Sequence, residues 1–192
     1  MIVDNFFSGL VFSMLRVWAD AQNYAGVRNP VDDTVYPGIC AEFPDNDFMR
    51  ERVENKLAEL NKGKRVKIKT LFMRLSVEGT PTPQPVHTDI SMGQLTFLLY
   101  MNRKEHCKGG TRVLRHVTGL DRSPATLEEM ALLERDCRDL DQWETLRNCP
   151  MAPNRAFILP SHHFHLAEPV GGFGSCAKDG RLVMVGFGDL EA

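Results

Sequence analysis

The rhythm of apolar and polar positions changes once along the chain, near Lys64. Before it the spacing is helical. Met1-Ile2-Val3-Asp4-Asn5-Phe6-Phe7 reads as a short strand. Ser8 then suits an N-cap, and Leu10, Val11, Met14, Leu15 and Trp18 recur at helical intervals. Residues 23–46 are rich in Pro, Asn, Asp and Gly and read as loop with brief extended pieces. Asp47 can cap a second helix that carries Phe48, Val53, Leu57 and Leu60 on one face and stops at Asn61 to Gly63. Both apolar stripes are expected to face a core.

After Lys64 the period becomes two. Val66 and Ile68 alternate with Lys67 and Lys69, a strand with one wet face. The basic residues there read as a solvated face or as a charged strand that resists edge pairing. Leu71 to Val77 continues the strand, and a Gly/Pro-rich loop runs from Glu78 to Pro85. Further strands are expected over Gln94 to Asn102, Gly109 to Leu114, Ala156 to Leu159, Phe164 to Val170 and Arg181 to Phe187. Gly171 to Gly180 forms the hairpin loop between the last two. One departure interrupts the strands. Ser123-Pro124 reads as a helix start, and the pattern through Leu127, Met130, Leu133, Trp143 and Leu146 reads as one or two helices. Two roles stay open for this insertion: extra core docked outside the strands, or a lid over a site.

The order of elements predicts an α+β fold, a barrel or sandwich of mostly antiparallel strands with N-terminal helices covering one side. The 192 residues suit one domain, with 1–63 as helical support and 64–192 as a strand core carrying a helical insertion at about 123–148. Apolar residues make up 43% and charged residues 25%, ordinary for a soluble globular chain, and a net charge of −2 gives no field that attracts nucleic acid or an anionic membrane. The five cysteines are widely spaced with no CxxC, and no apolar run is long enough to span a bilayer. These features lead to the expectation of an intracellular, cytoplasmic protein without nucleic-acid or membrane partners.

The stretch with chemistry in it is Pro85-Val86-His87-Thr88-Asp89. In an extended chain residues i and i+2 share a face, so His87 and Asp89 present an imidazole and a carboxylate to one point. One more imidazole would complete a 2-His-1-carboxylate set, which suits Fe(II) with open coordination positions. Three histidines, His162, His163 and His165, lie on or near a late strand.

At this point the chain resembles the Fe(II)/2-oxoglutarate-dependent oxygenases, in particular their prolyl-hydroxylase-like branch. The matching pieces are His87-Thr88-Asp89, Leu98-Leu99-Tyr100-Met101-Asn102, Gly109-Gly110-Thr111, Leu159-Pro160-Ser161 with His165 and Pro169-Val170, and Gly180-Arg181. The resemblance implies a double-stranded β-helix, or jelly roll. His87, Asp89 and His165 would hold iron, with His165 preferred because of its spacing from Ser161 and Pro169. Arg181 would grip the distal carboxylate of 2-oxoglutarate, with Lys178 as competitor, and Tyr100 would donate its hydroxyl to the same group. Thr96 and Leu98 share the strand parity of Tyr100 and would line the cavity.

The implied reaction consumes O2 and 2-oxoglutarate, releases succinate and CO2, and hydroxylates an unactivated carbon of a small molecule, amino acid or peptidyl side chain. Ascorbate stays open as an accessory reductant. The chain departs from the pattern at Arg181-Leu182-Val183, where a hydroxyl is usual, and at Ser76 or Val77, where an aromatic residue is common. Retention of Asp89 points to hydroxylation over halogenation. The rival readings are a cupin-type metalloenzyme that does not use 2-oxoglutarate and a jelly-roll binding protein without catalysis.

Overall fold

Ser8 caps the first helix: its hydroxyl accepts from the Val11 N–H at 3.4 Å, and α1 runs over Gly9–Asp20 behind the short strand β1, Ile2–Val3. The structure, a computed structural model, describes residues 1–28, 35–40 and 46–191. Part of the expected loop over 23–46 therefore lies outside the described residues; the rest contains the short strands β2 (Val27–Arg28), β3 (Val35–Tyr36) and β4 (Ile39–Cys40). The second helix, α2, spans Asn46–Leu60, so Asp47 sits in its first turn and does not cap it.

The strand core follows the expected order. It comprises β5 (Val66–Ser76), β6 (Leu95–Tyr100), β7 (Gly110–His116), β8 (Trp143–Pro150), β9 (Ala156–Pro160), β10 (His165–Glu168) and β11 (Arg181–Leu190). All pairings among the described residues are antiparallel. The larger sheet is ordered β1-β9-β6-β11-β5-β4 and the smaller β10-β7-β8.

Strand parity sorts the side chains into layers. Leu71 and Met73 of β5, Phe97 and Leu99 of β6, and Leu182 and Met184 of β11 face outward. There they join Leu15 and Ala19 of α1 and Met49, Val53 and Leu57 of α2 in one buried cluster. The opposite faces of the same strands present Phe72, Leu98, Tyr100, Val183, Val185 and Phe187, which meet Val113 and Cys149 of the smaller sheet. The two sheets are thus a sandwich with an interior between them, and helices cover the larger sheet. Gly109 shows why the β7 approach needs glycine. It has φ of +61°, and a Cβ there would lie 2.4 Å from the Glu168 carbonyl oxygen.

Two expectations are corrected. The insertion is helical over Leu127–Asp136 (α3), whereas Trp143 to Pro150 is the strand β8 paired with β7. Ser123-Pro124 does not start α3. Thr126 caps it, in a reciprocal box with Glu129, while the Ser123 hydroxyl bonds Thr88 at 2.9 Å. Leu133, Cys137 and Trp143 pack with Val86, Leu114, Phe164 and Leu166 outside the smaller sheet. The apolar stripe of α1 is also wider than its contact face. Leu15 is buried and Val11 and Trp18 are half-buried, but Leu10 and Met14 are exposed at 73% and 65%. The adjacent Arg16 is buried, paired with Asp20 at 2.8 Å and donating to the Ala177 carbonyl at 2.6 Å. Helix α1 therefore holds the hairpin loop that precedes β11.

Candidate metal centre

His87 and Asp89 point inward because their neighbours are drawn outward. Val86 is fully buried in the α3 cluster, and the Thr88 hydroxyl is bonded to Ser123. The same holds for His165, which lies between Phe164 and Leu166, both fully buried in that cluster. A two-way backbone bridge then fixes the strands: His87 N–H donates to the His165 carbonyl at 3.2 Å, and His165 N–H donates to the His87 carbonyl at 2.9 Å. Their rings lie 4.4 Å apart, centre to centre.

The three side chains converge. His165 Nε2 is 3.1 Å from Asp89 Oδ2, His87 Nε2 is 3.8 Å from Asp89 Oδ1, and one ligand atom from each residue lies within 4.8 Å of the others. Side-chain exposure is 31% for His87, 13% for Asp89 and 6% for His165, so the cluster opens on the His87 side.

The tautomers follow from the partners. His87 Nδ1 contacts the Pro85 carbonyl and His165 Nδ1 the His163 carbonyl, each at 3.1 Å. A carbonyl can only accept, so both Nδ1 atoms carry protons and both Nε2 atoms face the common point, that of His165 within hydrogen-bond distance of Asp89. Carbonyl bonds of this kind orient metal-binding imidazoles and raise their basicity. Burial, reinforced by the neighbouring His165, pushes His87 below its ordinary value and keeps it neutral. Burial would also lower His165, but the Asp89 hydrogen bond and charge outweigh it and raise it.

Asp89 is held on three sides. Its N–H donates to the Ser161 carbonyl at 2.8 Å, and its Oδ2 accepts from the Thr96 hydroxyl at 2.9 Å, which lies 2.9 Å from Ser161 Oγ. Burial opposes charge on Asp89, yet the bonds from His165 and Thr96 hold its carboxyl below the usual range. Two imidazoles and a carboxylate brought this close form a donor set that fits a divalent metal with open positions.

Arg181 opens β11, and Asn102 sets its place. The Asn102 side chain donates to the Gly180 carbonyl at 2.7 Å and accepts from Leu182 N–H at 3.0 Å. Arg181 is 5% exposed. Its Nη2 makes one long bond, 3.4 Å, to the Gly110 carbonyl, and its Nε has no partner among the described residues. Burial lowers its pKa to about 10, partly offset by Tyr100 and reinforced by Arg74. A buried guanidinium with no carboxylate fits an anion that arrives from outside. Lys178 is exposed on the hairpin.

Tyr100 lies on the inward face, as expected. It is fully buried, and its oxygen lies 2.9 Å from Thr111 Oγ1 and 3.1 Å from the Cys149 carbonyl. Its hydroxyl thus has two acceptors within the protein wall, the Thr111 hydroxyl and the Cys149 carbonyl. Thr96 and Leu98 share its inward parity, Thr96 as the partner of Asp89 and Leu98 as packing. His163 lies apart, its Nδ1 bonded to the Asp121 carbonyl at 3.1 Å and its backbone bridged to Arg122. The ring of His162 stacks against it.

Sequence reading missed Arg74, on the inward face of β5 between Phe72 and Ser76. Its Nε is buried and has no partner among the described residues. Alternation in Thr70 to Ser76 marked a strand but did not say which face was internal. A cleft of about 820 Å³ lies beside the HTD turn, lined by Thr88, Ile90 and Ser123 and by Met130, Leu133 and Arg138 from the α3 side.

Two antiparallel sheets with this inward cluster have the fold of the Fe/2-oxoglutarate-dependent oxygenases. The chain is similar to EctD from S. alaskensis, crystallised with bound Fe, at 12% identity and a TM-score of 0.55 over 97% of this chain and 70% of that one. It is similar to a Pseudomonas putida prolyl-4-hydroxylase at 13% identity and TM-score 0.53, over 100% of this chain and 92% of that one. SnoN, a non-haem α-ketoglutarate-dependent epimerase from nogalamycin biosynthesis, aligns at 11% identity and TM-score 0.55 over 97% and 74%. Structures of EctD and SnoN also contain 2-oxoglutarate (α-ketoglutarate), alongside 5-hydroxyectoine and nogalamycin RO respectively. No protein-family model and no curated protein matches the sequence. No helix among the described residues is long and apolar enough to cross a membrane.

Proposed function

We propose that the whole chain acts as one Fe(II)- and 2-oxoglutarate-dependent oxygenase domain, its sandwich a double-stranded β-helix. Its substrate would be an unactivated carbon of a small molecule, amino acid or peptidyl side chain, and hydroxylation the outcome. The observation that carries the reading is the pairing, inside one sandwich, of the His87–Asp89–His165 cluster with a buried Arg181 that has no carboxylate partner among the described residues. When bound, iron and 2-oxoglutarate supply the oxidative chemistry. The chain's part is geometric. His87 and His165 offer Nε2 with Nδ1 tied to carbonyls, and Asp89 offers a carboxylate steadied by Thr96. Arg181 orients the distal carboxylate of the cosubstrate, and Asn102 keeps Arg181 in register. The exposed N-terminal half of α3, beside the cleft, would form a substrate wall.

The test is succinate formation by the full chain in air with Fe(II) and 2-oxoglutarate, with and without ascorbate, alongside calorimetric Mn(II) and 2-oxoglutarate binding. Oxygen-dependent succinate that disappears in Asp89→Ala is expected. Metal binding without 2-oxoglutarate binding would point to a cupin-type metalloenzyme. Binding of neither would leave a sandwich without this chemistry.

A further inference from the structure

Arg74 stands across from Val183 on β11 and Ile39 on β4, while Arg181 stands across from Ser76. Arg74 and Arg181 are therefore diagonal neighbours on adjacent strands, both on the inward face, at a backbone spacing of about 7–8 Å for such pairs. No hydrogen bond or ion pair involves the Arg74 side chain among the described residues, and its Nε is buried. Its field reaches His87, Asp89 and Arg181. A buried and a half-buried like charge this close destabilise the interior unless anions arrive to meet them.

The charges can be counted. Among the described residues the inward cluster holds one carboxylate, Asp89, and two guanidinium groups, Arg74 and Arg181, around two imidazoles that are neutral when they ligate a metal. A divalent metal raises this to about three positive charges, and the 2-oxoglutarate dianion removes two. One positive charge is left over. Arg181 is the deeper of the two cations and Arg74 the more open, on the strand beside the sheet-edge strand β4.

Resting on the oxygenase reading above, we infer that the substrate is a small carboxylic acid whose carboxylate is met by Arg74. A guanidinium grips a carboxylate through two parallel bonds and, when desolvated, rejects the neutral amide of the same shape. The leftover charge thus selects among the substrates that metal and cosubstrate alone would allow. It favours free amino acids and other small acids over uncharged metabolites.

The experiment uses the full chain loaded with Mn(II) and 2-oxoglutarate, which binds without turnover. Propionate, valerate, L-alanine, L-leucine and L-proline are each compared with the matching primary amide by thermal shift, and binders are titrated calorimetrically. At least one acid should raise the transition temperature while its amide does not. Arg74→Gln should weaken that acid by about tenfold or more, and Arg74→Lys by less. In both variants, affinities for Mn(II) and 2-oxoglutarate should stay within about threefold. The inference is overturned if no acid stabilises the loaded protein, or if amides do so equally. It is also overturned if Arg74→Gln weakens 2-oxoglutarate itself by about tenfold, which would make Arg74 part of the cosubstrate site. Failure of the unaltered protein to bind Mn(II) and 2-oxoglutarate at the loading step would instead refute the oxygenase reading.

Discussion

Replacing Arg181 with methionine should make the ligand-free protein more stable and at the same time deprive it of 2-oxoglutarate. Arg181 is 5% exposed, has one long hydrogen bond, and has its pKa lowered to about 10 by burial. A fall of that size corresponds to roughly 3 kcal/mol of lost solvation for the charged form. Methionine of similar length removes that cost and still fills the buried space. Substitutions of this kind are neutral or stabilising by about 1–4 kcal/mol, and on a domain of this size each kcal/mol moves the thermal transition by about 2–4 °C. Removing one partner of a buried charge pair costs about 3–5 kcal/mol, or about two to nearly four orders of magnitude in affinity.

Two measurements on Arg181→Met check this. Differential scanning calorimetry without ligand should show an unchanged or higher transition. Calorimetric titration with 2-oxoglutarate, in the presence of Mn(II), should show no binding at millimolar concentration. Lys178→Ala serves as control and should leave both unchanged. A variant that melts well below the parent would mean that the Arg181 charge is satisfied within the protein. A variant that still binds 2-oxoglutarate within about threefold would remove Arg181 from the site, and loss of binding in Lys178→Ala would move the role to the hairpin.

Thr96→Val keeps the shape of a fully buried side chain but deletes the hydroxyl between Asp89 and Ser161. It should weaken Mn(II) binding by about 10–100-fold, with little change in circular dichroism; undiminished affinity would show that Asp89 needs no such support. Asp179 closes the hairpin before Arg181. Its carboxylate accepts from the Ser175 and Cys176 N–H groups, each at 2.9 Å, and these bonds lower its pKa to about 2. Because the folded value is the lower one, the stabilisation is complete above the ordinary carboxylate range and is lost as pH falls toward about 2. The protection factors of the Ser175 and Cys176 amides, taken relative to intrinsic exchange at each pH, should fall over that acid range in the parent and be low throughout in Asp179→Ala; identical profiles would refute it.

His87 and Asp89 were legible in the sequence because they are two residues apart, and His165 because its spacing from Ser161 and Pro169 resembles the family's pattern; alternation with Phe164 and Leu166 alone did not separate it from His163. Other features left no such trace. Strand β8 was hidden because Glu144 to Asn148 are all exposed, so one face gives no alternation, and the spacing of Trp143 and Leu146 fits a helix equally well. The apolar arc of α1 gave no sign that Arg16 would be buried while Met14 would not, because that choice depends on the Ala177 carbonyl far along the chain. Tyr100 lay on the expected face, but its hydroxyl is claimed by Thr111 and Cys149, contacts that depend on sheet packing. Arg74 looked like any polar residue in an alternating strand.

Helix α3 has two ends under different obligations. At its C-terminal end the Cys137 carbonyl accepts the Val86 N–H at 3.2 Å, one residue before His87, and Leu133 and Trp143 are packed around Val86. At the other end Leu127 is 84% exposed and Met130 57% exposed, and Met130 borders the cleft beside Thr88. The first end cannot be redrawn without moving a residue adjacent to the metal cluster. The second can be rewritten freely, since the reciprocal cap of Thr126 and Glu129 starts the helix whatever the next exposed turn carries. Leu127, Glu128, Met130 and Ala131 therefore form an exchangeable edge, free to vary while Thr126 and Glu129 keep the helix start and the other end keeps its place beside His87.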